Sequence, residues 1–427
     1  SGVFQGNGHS IKGLKMNNKN NEGYKNAGLF CSLKDATVEN LVIDSSCSFT
    51  GYQVGALGVF TTGSLTVKNT TNNAAVNGTY RAGGFLGYAF GLEQPVVISF
   101  EDCVNDANVT GSGFNAGGFV GLISSTIEMT VFFSDCINNG NTTGTWNVGG
   151  FVGHIQNNTN MTLTNSNSTN NGDVSGTNSF VGGFVGRIGG NTNMVMTIPN
   201  FINNGIINGG QDDVGGIAGY VDNNVHMTMS ISDCSNNGNT TGNGLSVGGF
   251  VGYLSSNTNI TVTILNSANS YNVIGSGIVA GFVGNISSNT NMVITVSDSI
   301  NNGNVIGSGF DVGGFVGYMK GNTNMVITVS RSSNNGNVSG NKNSIGGFVG
   351  IIWYCVNVTV TIMDLTNNGY VSGCDDVGGF VGIIAHSTNM TLTISSTINN
   401  GNVTGNGLSV GGFVGRIGWN SFVTMTI

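Results

Sequence analysis

The stretch "DVGGFVGYMKGNTNMVITVSRSSNNGNVSG" (residues 311–340) returns in nearly the same words about every 33 residues down to the C-terminus. Aligned on their GGFVG core, the copies begin at Gly83, Gly117, Gly149, Gly182, Gly215, Gly248, Ala280, Gly313, Gly346, Gly378 and Gly411, with spacings of 32 to 34 residues. Two looser copies precede them, "AGLF" at Ala27 and "VGALGVF" at Val54, which makes about thirteen units in 427 residues with no linker between any two. A unit this short cannot bury a core of its own. A fixed period without linkers therefore means stacked units that share one core.

Within a unit the sequence offers extended segments and no helical period. In "MVITVSRS", Met325, Ile327 and Val329 alternate with Val326, Thr328 and Ser330, the period of two that marks a strand with one buried face. The NNG and G-x-G corners supply the left-handed turns that Gly and Asn adopt most readily. The pattern predicts an all-β chain: a parallel β-solenoid, or β-helix, of about thirteen rungs, with one rung of three short strands per repeat. It reads as a single repeat solenoid over residues 1–427, with divergent rungs at 1–81 and regular GGFVG repeats at 82–427. A propeller fits less well, because its blades need about 40 or more residues and four strands. Stacking like on like predicts a core ladder of Phe250, Phe282, Phe315, Phe348, Phe380 and Phe413, with rows of Asn at the turns.

Composition narrows the function classes. A net charge of −8 and a pI near 4.7 remove the basic patch that nucleic acid or an anionic membrane requires. No apolar run is long enough for a membrane span, and the ends, with Ser1 first and "SFVTMTI" last, read as cut from something longer or processed. The seven cysteines form no CxxC pairs of the zinc or redox kind. Cys103, Cys136 and Cys234 share a register with Ser168, Ser299, Ser332 and Thr397, which reads as a small-residue column. A Cys103–Cys136 disulfide is the alternative.

The opening "GVFQGNGHSIKGLKM" (residues 2–16), then "AGLF" at Ala27, "ATVENLVIDSS" (residues 36–46) and the serial VGGFVG units resemble the GLUG-motif repeat proteins. Those are large secreted or surface proteins of bacteria and some protists, and the motif also stands beside the peptidase domain of certain immunoglobulin-A proteases. The likeness covers almost the whole chain. It implies an extracellular or cell-surface stalk or adhesive region and carries over no catalytic residue. This sequence departs from the commoner form in having Phe-Val where Leu-Val is frequent, and in its Asn-rich, charge-poor turns.

Strict alternation along "GGFVGYM" places Phe315 and Val316 on opposite sides. With the Phe column inside, Val251, Val283, Val316, Val349, Val381 and Val414 would form an outward column, with Tyr253 and Tyr318 beside it. Such an apolar stripe exceeds what monomers expose, so this face is expected to self-associate into a homo-oligomer, stalk, coat or filament. The alternative is a glycine-bent strand whose parity slips so that Phe and Val both point inward.

Enzymatic, cofactor and metal readings find little support. Asp213, Asp311 and Asp376 share a register but lie several rungs apart, and the turn carboxylates read as solvated; His9, His154, His226 and His386 fall in different registers, and no Ser-His-Asp or HExxH pattern occurs. The chain is expected to be no enzyme and to need no cofactor. The outward side of the second strand carries a T-x-T array (Thr162/Thr164, Thr261/Thr263, Thr359/Thr361, Thr391/Thr393, Thr424/Thr426), diluted by Val195, Val293 and Val326. Flat Thr ladders suit ordered surfaces such as ice or crystalline glycan, although Thr is also a good strand residue. An adhesin or glycan-binding surface, with a host or matrix glycan as partner, is thus the second reading. Asn108, Asn141, Asn160, Asn259, Asn337, Asn389 and Asn402 open sequons for N-glycosylation.

Overall fold

The computed structural model describes residues 2–18, 25–91, 95–178 and 180–427. They form an all-β, parallel β-solenoid of about thirteen turns, without a helix among the described residues. The chain divides into two compact units, residues 1–208 and 209–427.

One turn of the second unit stands for the rest. Val312–Gly313 leads through a bend into Val316–Lys320; the chain then runs through the long strand Thr323–Ser330, the two-residue strand Ser333–Asn334 and the short strand Val338–Gly340. Each segment pairs in parallel with its counterpart one repeat later: Val316 with Val349, Ile327 with Val360, Asn334 with Asn367, Val338 with Val371. The NN pair and the Val-Gly segment, which read as corners in the sequence, are thus strands in their own right. In the first unit the same long-strand sheet runs from Gly2–Gln5 to Val195–Pro199.

Apolar packing explains why the long strand is a strand. Met325, Ile327 and Val329 are fully buried while Val326 is 42% exposed, as the period of two requires. Facing them are the Phe rings: Phe250, Phe282, Phe315, Phe348 and Phe380 are buried and stack in parallel, with centroids 4.6 Å apart between Phe282 and Phe315 and 4.8 Å between Phe315 and Phe348. Phe413, in the last turn, is 37% exposed. In the first unit a second ring column, Phe100 and Phe133, meets Phe119 and Phe151 edge to face.

The buried asparagines that repeat from turn to turn are paired with one another. The Asn334 Nδ2 donates to its own turn's Gly336 carbonyl at 2.9 Å and to Asn367 Oδ1 at 2.8 Å, while its Oδ1 accepts from Asn301 Nδ2 at 2.8 Å. The column runs from Asn236 to Asn399 in the second unit and from Asn72 to Asn203 in the first. Gly314 lies against this ladder: a Cβ there would sit 2.9 Å from Asn334 Cγ and nearer still to the Gly347 carbonyl. The glycine pair and the asparagine are therefore one device. A second buried amide column, Asn224, Asn257, Asn289 and Asn322, ties the start of each long strand to the next.

Removing one member of the buried column orphans a donor, an acceptor and a turn carbonyl at once. Asn334→Ala is expected to destabilise by about 2–4 kcal/mol and to speed amide exchange in the neighbouring Asn-Gly turns. Asn335→Ala removes a member of an exposed amide ladder and should cost under about 1 kcal/mol. Denaturation midpoints and hydrogen exchange of the two variants provide the comparison; equal effects would remove the ladder's special role.

Candidate functional site

The outer side of the long strands in the second unit is the most regular surface on the molecule. Two columns stand on it in unbroken register: Thr261, Val293, Val326, Thr359, Thr391 and Thr424, and beside them Thr263, Thr295, Thr328, Thr361, Thr393 and Thr426. The strands from Thr258–Leu265 to Thr388–Ser395 contain no charged and no aromatic residue. Among the described residues, none of these Thr hydroxyls has a protein hydrogen-bond partner. Every member is β-branched, so each χ1 is stiff. The face is thus a grid of methyls and free hydroxyls held in place by what lies beneath it.

Its borders differ in chemistry. On one side Asn259, Asn291, Asn324, Asn357 and Asn389 take left-handed backbone, with φ between 52° and 55°, and form an exposed amide ladder with bonds of 2.8–3.0 Å. On the other side Arg331 forks onto Asp298 with two bonds of 2.7 Å. Both groups of that ion pair are exposed, so it adds little stability.

The Phe-Val strand departs from the expected parity. Val251, Val283, Val316, Val349 and Val381 are fully buried, and Val414 is half-buried in the last turn. The backbone gives the reason. The Phe348 carbonyl accepts from both Phe315 N–H, at 2.9 Å, and Val316 N–H, at 2.8 Å; Phe282, Phe315, Phe380 and Phe413 carbonyls receive the same pair of bonds from the preceding turn. One carbonyl serving two successive N–H groups marks a bend at Gly314–Phe315 just ahead of the strand, so alternation does not run through Phe-Val and both side chains are buried, as in the glycine-bent alternative. The outer side of the strand is covered by the chain itself, since Val312–Gly313 packs on Val316–Lys320 and Val349–Trp353. At Gly317 a Cβ would come within 2.7 Å of Ile278 Cγ2 and 3.0 Å of the Val279 carbonyl. Tyr253 and Tyr318 are half-buried, and Tyr318 packs with Trp353 against Ile351, Ile383 and Ala385.

The acids just ahead of the covering Val-Gly segments are not the solvated turn carboxylates expected. Asp213 is 2% and Asp376 3% exposed. Burial pushes the Asp213 carboxyl up to about 8, against a bond with Ser246, and that of Asp311 up to about 7; Asp376 is raised less, with Arg416 at 3.0 Å. Asp213 Oδ1 has no hydrogen-bond partner, as fits a protonated acid. In the first unit, burial beside Arg187 and Arg81 lowers His154 to about 3, and the imidazole is neutral, with Nδ1 3.3 Å from the Asn147 amide. The sequence placed Asp213, Asp311 and Asp376 in one register but held no sign that a covering strand lay over it.

The remaining expectations are quickly placed. Asn108, Asn141, Asn160, Asn259, Asn337, Asn389 and Asn402 are all exposed. At Asn108, Asn141 and Asn337 the Oδ1 accepts a backbone N–H of the next turn, whereas Asn389 spends its Nδ2 on Asn357. Cys103 and Cys136 are free, buried thiols in adjacent turns, and their column does hold the equivalent Ser299 and Ser332 hydroxyls on backbone carbonyls. Among the described residues, no group of three His, Cys, Asp or Glu side chains is placed to hold a metal ion, and no helix is long and apolar enough to cross a membrane. Comparison with family models, with curated proteins and with solved structures finds no match.

Because the folded-state pKa of Asp213 lies above its ordinary value, stability is greatest in acid and declines as pH rises from about 4 through about 8. Asp213→Asn is expected to equal the parent at pH 4 and to exceed it by ~1 kcal/mol or more at pH 9. Thermal midpoints across that range check this; a difference that does not change with pH would take the carboxyl out of the titration.

Proposed function

We propose that this chain is an extracellular or cell-surface structural region of the adhesin kind, a stalk or coat element whose outer long-strand face is the working surface. The observation that carries this reading is the charge-free, in-register Thr/Val grid, whose hydroxyls are committed to nothing within the protein. Each turn needs only its neighbours for stability, so a face that contributes nothing to the interior is free to serve contact. The likeness of the opening residues and the VGGFVG units to GLUG-motif repeat proteins supports an extracellular setting, and so does the exposure of sequon asparagines such as Asn108, Asn141 and Asn337.

Adhesion is preferred here to self-association. The contact expected of the Val column is already made inside the fold, where the bend ahead of the strand turns Val316 and its equivalents inward. A second copy has no apolar stripe there to bury. The partner class this reading points to is an extended, uncharged and repeating one, a host or matrix glycan or another ordered surface.

Three outcomes are expected. Adsorption of the purified chain to insoluble particulates should fall at least tenfold in the Thr328→Lys/Thr361→Lys double variant, with its melting midpoint unchanged. Val316→Asp, by contrast, should destabilise by about 3 kcal/mol or more, as a buried unpaired charge does, without altering a monodisperse light-scattering mass. Adsorption indifferent to the two lysines would end the reading. In a eukaryotic secretory host, glycopeptide mass spectrometry is expected to find glycan at Asn108, Asn141 and Asn337, whose Nδ2 groups are unengaged, ahead of Asn389. Bare asparagines at all of them would remove the glycoprotein element.

A further inference from the structure

We infer that the Thr/Val grid of the second unit binds an ordered water lattice, that is, the surface of ice. This inference rests on the reading of that face as the working surface and names its ligand.

The columns have the spacing of a lattice. In-register parallel strands repeat at ~4.8 Å across the sheet, and alternate residues on one strand lie ~6.7 Å apart. The two columns therefore make a rectangular two-dimensional lattice, six strands deep from Thr261 to Thr426, without a register shift in any of the five pairings. These spacings are of the same scale as the oxygen repeats on the faces of hexagonal ice. A lattice suits a ligand that is itself a lattice.

Chemistry then selects among ordered ligands. Sugar rings are held by aromatic faces and by charged or amide groups; the two columns hold none of these, and in the bordering row the Asn amides are bonded to one another, with Phe422 exposed only at its last position. What they do present is a methyl at every point, since Val293 and Val326 keep the γ-methyl of the Thr they replace, and a hydroxyl at ten of the twelve. A single exposed hydroxyl gains almost nothing by exchanging one water for another. Many hydroxyls fixed in one plane gain together when the waters they meet are already fixed at the same repeat, because the ordering cost has been met on both sides beforehand. Solid water is the ligand for which this holds.

Rigidity and charge agree with this. The grid stands on strands whose inner residues Met325, Ile327 and Val329 are fully buried, and whose ends are tied by the Asn257, Asn289 and Asn322 amides. Charged side chains hold liquid-like hydration shells around themselves. The strands of the grid carry none between Thr258 and Ser395.

The test is partition of the full chain into a slowly grown ice hemisphere, together with thermal hysteresis and crystal shape by nanolitre osmometry. The parent is expected to enter the ice and to facet the crystals. Thr328→Lys/Thr361→Lys is expected to lose at least tenfold of the ice-bound fraction at an unchanged melting midpoint, while Ser339→Lys, on a different face of the same turn, behaves as the parent. Exclusion of the parent from the ice, as for an ordinary solute, overturns the inference. Particulate cellulose and chitin run beside it separate the two readings: adsorption there that the double lysine variant loses keeps the face as a working surface and refutes ice, and no adsorption anywhere removes both.

Discussion

In the buried amide column of Asn301, Asn334 and Asn367, every Nδ2 hydrogen and every Oδ1 has a partner, one in its own turn and the others in the turns on either side. An amide buried with less than this would be a liability of 1–3 kcal/mol. Buried with all of it, the amide fixes the phase of one turn against the next, because only the same residue at the same height offers both a donor and an acceptor. Glycines follow from this. Gly314 and its equivalents leave room for the amides, and the Phe rings that come next in the chain are delivered to the same height in every turn. Repetition in the sequence is therefore the condition for a polar group to be buried here at all.

That interaction was only half legible. The period, the strand alternation in "MVITVSRS" and the Phe column could be read because each rests on a spacing that the chain displays. The Asn rows could be seen, but their burial could not, since an NNG turn on the surface and an NN strand under a glycine corner are spelled alike. The bend at Phe-Val was legible only as an alternative, through the glycines that flank it. The glycines permit a bend but do not spell which carbonyl receives which N–H, and here a single carbonyl takes the bonds of both Phe315 and Val316. Strict alternation then assigned Val316 outward, and with it a whole interface.

The inference that this strand is apolar on both sides nonetheless identified something true about it. Apolar residues on both sides mean cover on both sides. In a chain so rich in glycine the cover comes from within: Val312–Gly313 folds back over Val316–Lys320, and the contact at Gly317 is close enough to exclude any larger residue. The acids just ahead of that cover belong to the same arrangement. Asp213, Asp311 and Asp376 occupy the position just ahead of Val-Gly-Gly, so covering the strand drew them out of water and raised their pKa values. The outward placing of the Val column and the solvated reading of these carboxylates thus fail for one reason, the cover that the chain lays over the strand.

An interior that closes on itself changes what the outside can be. In an ordinary domain the surface carries scattered charge that keeps it soluble and also prevents any one patch from being uniform. Here, with only 7% of residues charged, whole columns on the long strands are left to Thr and Val. Such uniformity costs little in stability, because both are good strand residues and neither reaches the core from that side. It also adds little stability, so the stability of the fold alone does not explain an unbroken Thr column from Thr263 to Thr426. The same rung-to-rung register that the buried asparagines impose turns that column into a lattice, and a lattice gains most by meeting another.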